Sequence, residues 1–399
     1  MTDRPSPETF LVGGRPVAGE RVTTDSDNAV FEAGSVAVVF GTRPEIIKLA
    51  GIIDLLGDSA RTIFSGQHFD DLMSRMVFED LQLPAPSVML AIGGQSRARQ
   101  IGELVQRLEE EFSRRRPAVV VVQGDTNTAL AGALAANTLE IPLVHVEAGL
   151  RSFDRRMPEE HNRVVTDHLA DLCLAPTDQA RENLRAERIP DERIALTGNT
   201  VVDAAARMMP DPAERANLLS KFGLEAGRFI LATFHRPENV DDVNRFRALV
   251  GHLKCLGLPV FFPVHPRTRN HMRVDGFDES ANRLVMVPPV GYRTFLALAA
   301  ECAFLLSDSG GVQEEASVVK RPVIVVRRST ERPEVLGTFA TLVPSLRDLP
   351  AVAEQILRNL PDTHRRLADI PSPYGDGQAS LRSVRYIAQS LQGWSRQVR

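Results

Sequence analysis

The stretch Val119–Arg163, VVVVQGDTNTALAGALAANTLEIPLVHVEAGLRSFDRRMPEEHNR, constrains the fold more than any other part of the chain. Val119–Val122 and Leu143–Val146 are short continuous apolar runs, the mark of strands buried on both faces. An alanine-rich segment between them supplies a helix, and Pro158 opens another. Strand, helix, strand, helix at this spacing is a βαβ unit and demands a parallel sheet. The run also sets a carboxylate at three of its junctions: Asp125, Glu147 and Glu159. Ligands of open parallel sheets bind outside the carboxyl ends of the strands, so these three residues mark a candidate site.

The same alternation begins abruptly at Ser35. Val36–Phe40 reads as a buried strand, followed by Gly41-Thr42-Arg43-Pro44-Glu45 and an amphipathic helix through Leu56, with Thr42 and Glu45 at capping-box spacing. Further strands are expected at 61–64, 172–175 and 194–196, and helices at 69–80 and 97–115. The second half repeats the pattern, with strands at 229–233, 260–264, 284–287, 303–306 and 323–326. The expected fold class is therefore α/β, with two similar parallel-sheet domains at 35–198 and 199–378 and a hinge at Thr197-Gly198-Asn199. A final helix near 380–391 follows the turn-rich Pro371–Gly377, and residues 379–399 are expected to cross back to the first domain. Residues 1–34 are polar and broken by Pro and Gly, which predicts a mobile tail or at most a small surface hairpin.

A chain of 399 residues with 43% apolar content can build two domain cores. No apolar run is long enough to span a bilayer, so no membrane partner is expected. The opening residues lack a basic region followed by an apolar core, which predicts a cytoplasmic location. Cys173, Cys255 and Cys302 are widely spaced, so neither disulfides nor a zinc site is expected, and all three read as buried thiols. The formal net charge of −4, with no large basic block, argues against nucleic acid.

Two turns are suited to anions. Gly41–Glu45 joins a strand to a helix start and carries Arg43, whose guanidinium suits phosphate. Ser307–Glu315 reads as a strand end, a Ser/Gly turn and a helix start, where Ser309, Gly310 and Gly311 offer a hydroxyl and open N–H groups to a diphosphate. Glu315 follows one turn later, placed to hold a ribose diol. His235-Arg236 and His265-Pro266-Arg267 each follow a predicted strand and face the same cleft. None of these has the spacing of a metal site, and no metal is expected. Among the carboxylates, Asp125 can be read as an N-cap and Glu159 as an i,i+4 partner of Arg163, whereas Glu147 has no helix start to cap. Three carboxylates on one cleft suggest general acid/base chemistry. GxGxxG is absent from the first strand-to-helix turn, so no dinucleotide cofactor is expected.

GTRPEIIK, GQH, QGDTNTALAGALAA, HVEAGLRS, MPEEHNR, TGNTVVDA, HRPEN, PVHPRTR, SDSGGVQEEA and TERPEVL, in this order, resemble the motifs of the non-hydrolysing UDP-N-acetylglucosamine 2-epimerases. The resemblance runs from about Ser35 to the end of the chain. It implies a GT-B-like fold, two Rossmann-like domains around a central cleft, a homodimer, a UDP-sugar substrate and no cofactor. It also implies a reaction in which the proton at sugar carbon 2 is removed and UDP is expelled to give an acetamidoglucal, after which UDP adds back. Asp125, Glu147 and Glu159 match the family's essential carboxylates and Lys48 its motif lysine. Arg43 and His235 would stabilise the departing UDP, with Ser309, Gly310 and Gly311. His68, Arg163 and Arg267 fall in motifs of the substrate-binding set, Glu315 matches the ribose carboxylate, and Phe295 the aromatic facing uracil.

The chain departs from typical bacterial members at Pro237, where they carry a positive charge. Phe69-Asp70 and Gly93-Gly94-Gln95 replace positions that hold an activating second UDP-GlcNAc in regulated members, which predicts weak or absent regulation. Alternatives to reversible epimerisation are a hydrolysing 2-epimerase releasing ManNAc and UDP, and a 2-epimerase of a related nucleotide sugar. A GT-B glycosyltransferase is a more distant reading, with no use for three clustered carboxylates.

Overall fold

The structure is a computed structural model that describes residues 10–12, 15–17, 31–67, 77–264 and 283–397. Strands β1 (Phe10–Val12) and β2 (Arg15–Val17) form a small antiparallel pair, with Phe10 opposite Val17. The first domain is a seven-stranded parallel sheet of β3 (Val36–Phe40), β4 (Ala60–Phe64), β5 (Val88–Met89), β6 (Val119–Gln123), β7 (Leu143–Val146), β8 (Leu172–Ala175) and β9 (Ile194–Leu196), in spatial order β5-β4-β3-β6-β7-β8-β9. The second is a six-stranded parallel sheet of β10 (Ile230–Thr233), β11 (Val260–Pro263), β12 (Leu284–Val287), β13 (Phe304–Ser307), β14 (Val323–Val325) and β15 (Ala340–Leu342), in order β12-β11-β10-β13-β14-β15. The two-residue β5 and the edge strand β15 were not anticipated, and the last helix, Ala379–Gln397, is longer than expected.

Both sheets run outward in one direction, return, and continue in the other. The strand order therefore reverses between β3 and β6 in the first sheet and between β10 and β13 in the second. At such a switch point the two adjacent loops diverge to opposite faces and leave a crevice. Arg43 and Asp125 follow β3 and β6, and His235 and Ser309 follow β10 and β13. The topology alone thus brings these four residues to crevices.

The pleat sorts the apolar side chains. Val36, Val38 and Phe40 enter one cluster, which also contains Leu231 and Leu305 of the second sheet, whereas Ala37 and Val39 enter another on the far face of the first sheet. The shared cluster is continued by Val201, Val202, Ala204 and Ala205, because the helix Thr200–Met208 packs against both Arg43–Leu56 and Gly310–Val319. The Ala379–Gln397 helix lies along Arg43–Leu56, close enough that a Cβ on Gly51 would stand 2.4 Å from Ser380 Oγ. Asp203 anchors its start by accepting from the N–H groups of Ser380 (2.7 Å) and Ala379 (3.2 Å).

Three local readings are corrected. Thr42 caps no backbone N–H; Glu45 turns inward, accepting from Gly41 N (3.1 Å) and the Thr126 hydroxyl (2.8 Å). The cap of the helix Asn127–Thr138 is Thr126, which accepts from Ala129 N (3.0 Å), so Asp125 is not the cap. Cys173 and Cys302 are buried, with the Cys302 thiol pushed up to about 12 by burial, but Cys255 is exposed, since it ends a surface helix.

Candidate active site

Glu147 leaves β7 in the left-handed conformation, with φ of 67°. That geometry is costly for a residue with a Cβ and persists only where the surroundings hold it. Here the side chain is held from three segments. Lys48 Nζ pairs with its Oε2, Arg332 Nη2 lies 3.2 Å from its Oε1, and Asn199 Nδ2 donates to Oε2 at 3.1 Å. Glu314, from the helix Gly310–Val319, meets the same three groups, with Lys48 at 2.9 Å, Asn199 at 3.1 Å and Arg332 Nε in direct contact. Burial alone would push Glu147 up, but Lys48 and Arg332 hold it below the ordinary carboxylate range. For Glu314 burial prevails over the same cations, with Glu147 adding repulsion, and its carboxyl is raised.

Gly149 explains how the loop after Glu147 folds back. Its φ is +83°, and a Cβ there would stand 2.2 Å from Ala180 O, so only glycine allows this approach. Gly149 N in turn donates to Asp167 (3.1 Å), which also pairs with Arg151 (2.7 Å).

Asp125 pairs with Arg163, which is itself buried. Arg163 does not take the expected i,i+4 partner Glu159. It pairs with Glu160 at 2.5 Å, because Glu160 points inward to accept from Ser152 N (3.0 Å) and Phe153 N (2.9 Å), whereas Glu159 is half-buried. Asn162 completes the link by donating to Asp125 O at 2.8 Å.

On the opposite wall His235 is exposed, with Nδ1 3.2 Å from Asp308 Oδ1. Asp308 is buried and accepts from the N–H groups of His235 (3.2 Å) and Arg236 (3.0 Å) and from Asn239 Nδ2 (3.0 Å). Burial raises its carboxyl, but His235 and Asn239 hold it below the ordinary range. Ser309 is the N-cap residue of Gly310–Val319, and its hydroxyl caps no N–H of that helix. The first turn therefore keeps its open N–H groups for an anion. Arg43 is half-buried and has no ion-pair partner among the described residues, though it lies in the field of Glu315. Burial pushes Glu315 up to about 7, beside Tyr292 and Arg43. Phe295 is 6% exposed and packs in the shared core. His68, Phe69-Asp70 and His265–Arg267 lie outside the described residues.

Residues that sequence reasoning did not single out complete the site. Glu331 is buried among guanidinium groups, 2.8 Å from Arg327 and 3.5 Å from both Arg236 and Arg332, and these cations hold its carboxyl well down against burial. It links the Asp125–Arg163 pair to the Glu147–Glu314 cluster, since Arg163 also lies in its field. Glu331 and Arg332 fall in the TERPEVL motif and Asn199 in TGNTVVDA, which was the one signal for them. No group of metal-binding side chains occurs among the described residues.

A carboxylate cluster flanked by cations on one wall, and an anion-ready helix end with an exposed imidazole on the other, fit acid/base chemistry on a ligand that carries a diphosphate. Comparison with known proteins agrees. The family model for UDP-N-acetylglucosamine 2-epimerase matches residues 57–388. The UDP-N-acetylglucosamine 2-epimerase of Methanocaldococcus jannaschii is 39% identical over 365 residues, covering 88% of this chain and 98% of that protein. A UDP-2,3-diacetamido-2,3-dideoxy-D-glucuronate 2-epimerase of Pseudomonas aeruginosa is 36% identical over 364 residues, covering 89% and 99%. The crystal structure of the M. jannaschii UDP-GlcNAc 2-epimerase in complex with UDP-GlcNAc and UDP superposes with a TM-score of 0.81 at 37% identity, covering 89% and 99%. The chain belongs to the UDP-N-acetylglucosamine 2-epimerase family.

Proposed function

We propose that the protein interconverts UDP-N-acetylglucosamine and UDP-N-acetylmannosamine by the non-hydrolysing route. The observation that carries this reading is the pairing of Lys48 with Glu147 across from an open, diphosphate-ready helix end at Ser309-Gly310-Gly311. Glu147, Asp125 and Glu159 supply acid/base groups for the two faces of carbon 2. As the C2–H bond breaks, its electron pair forms the C1=C2 double bond of the acetamidoglucal and the C1–O pair leaves with UDP. Charge then builds on the diphosphate, where Arg43, His235 and the helix end stabilise it. On re-addition the C1=C2 pair takes a solvent-derived proton at carbon 2 from an acid group on the opposite face, and a UDP oxygen bonds to carbon 1. Lys48 and Arg163 hold Glu147 and Asp125, and Glu315 binds the ribose, with Phe295 near uracil.

The active form is a homodimer in the cytoplasm, and the free thiols, including exposed Cys255, suit such a reducing compartment. A second reading is favoured by the P. aeruginosa relative: the same chemistry on a 2,3-diacetamido-2,3-dideoxyglucuronate sugar. Incubation with each UDP-sugar in deuterated water, followed by NMR, tests both. Deuterium at carbon 2 of UDP-GlcNAc and UDP-ManNAc is the expected result. Exchange confined to the diacetamido uronate favours the second reading, free ManNAc indicates hydrolysis, and absence of exchange in every UDP-sugar overturns the mechanism.

A further inference from the structure

Glu314 faces Glu147 across the domain junction and shares every cation that Glu147 has. Lys48 bridges the two Oε2 atoms, Arg332 bridges the two Oε1 atoms, and the Asn199 amide donates to each carboxylate at 3.1 Å. Glu314 is 0% exposed and Lys48 6%. Two carboxylates thus balance two cations in a space closed to water. A lone carboxylate facing an ammonium and a guanidinium in such a medium is held so firmly ionised that it becomes a poor base. A general base works best with its pKa near the operating pH. The second carboxylate takes up part of the attraction of Lys48 and Arg332 and is their counter-ion whenever Glu147 carries a proton.

We propose that Glu314 is a positioning residue that sets the basicity of Glu147. The inference rests on the reading of Glu147 as a group that takes the proton from carbon 2. Among the described residues, the pair is faced by Lys48 from the helix Arg43–Leu56, Arg332 from the segment after β14, Asn199 from the hinge, and the phenols of Tyr374 from the C-terminal crossover and Tyr292 from the helix Tyr292–Glu301, with Glu315 and Glu331 behind them. A change at Glu314 therefore reports on this balance.

The test is the pH profile of kcat/KM for carbon-2 deuterium exchange in E314Q, N199D and E147Q, with UDP binding measured alongside. E314Q leaves Glu147 with two cations and no second anion. Its acid limb is expected to move to lower pH, with a plateau at least tenfold below wild type. N199D adds a carboxylate at the same spot, and Asp can still cap the helix as Asn199 does through Val201 N. Its acid limb is expected to move to higher pH. Loss of packing cannot produce opposite shifts. An E314Q plateau that falls with the limb unmoved, or shifts of the same sign in both variants, overturns the proposal. If E314Q does not fold, an unmoved or lowered limb in N199D overturns it alone. Exchange retained by E147Q defeats the underlying reading of Glu147 instead, whatever Glu314 does.

Discussion

His145 Nδ1 lies 2.6 Å from Asp167 Oδ1, with both side chains wholly out of water. The other ring nitrogen, Nε2, is 2.8 Å from Gly124 O, the carbonyl just before Asp125. Asp167 also accepts from Gly149 N, two residues after Glu147. One imidazole therefore ties together the loops that carry both carboxylates. H145F should strand the Gly124 carbonyl and leave Asp167 with only Arg151 and the Gly149 N–H, costing about 3–5 kcal/mol. Urea unfolding measures this, and a loss below about 1 kcal/mol means that the clamp is dispensable.

Gly149 should tolerate no side chain. Its positive φ and the backbone oxygen of Ala180, 2.2 Å from where a Cβ would sit, leave nothing flexible to yield. G149A is expected to lower stability by about 3 kcal/mol or more, and to impair exchange by displacing Glu147. A variant with wild-type unfolding would show that the loop relaxes without cost.

These two contacts mark where sequence reading stops. The strand Val36–Phe40 was legible because every residue in it is apolar and buried, and its turn to Arg43 was legible from Gly and Pro. Glu147 stood out because no helix start explained it. Its partners did not, since Asn199, Glu314 and Arg332 come from three distant segments and each has a local excuse. Asn199 reads as a hinge residue and is indeed an N-cap, while Glu314 is one of two adjacent helical glutamates. Glu159 and Glu160 differ by only one position, and which of them turns inward to Arg163 is decided by the Ser152–Phe153 loop that Glu160 also binds. Val88–Met89 is too short, and too little buried, to show a period.

Glu45 predicts a pH dependence of stability. Burial raises its carboxyl from 4.5 to about 7, against the hydroxyls of Thr42 and Thr126 and the Gly41 N–H. The folded state then binds more protons than the unfolded one between these values, so this group's contribution is fully present below pH 4.5 and is lost as pH rises through about 7. E45Q cannot ionise. Relative to wild type, it should gain about 3 kcal/mol between acid and pH 8. Urea midpoints across that range check this, and a pH-independent difference would show that folding leaves the proton affinity of Glu45 unchanged.

Gly310 and Glu147 should separate binding from proton transfer. A Cβ on Gly310 would stand 2.9 Å from Glu331 Oε1 and 3.6 Å from the Arg332 guanidinium. Glu331 cannot swing aside, because it is buried against Arg327, Arg236 and Arg332. G310A must therefore shift the first turn of the helix, the proposed diphosphate site, and UDP affinity should fall about tenfold, or about 1.4 kcal/mol. E147Q keeps the helix end untouched and should abolish carbon-2 exchange while UDP affinity stays within about twofold, since in the proposed route Glu147 serves proton transfer and not diphosphate binding. Calorimetric titration of both variants with UDP reads the contrast. Wild-type affinity in G310A would remove the diphosphate from this helix end, and lost UDP binding in E147Q would move Glu147 from the sugar to the nucleotide.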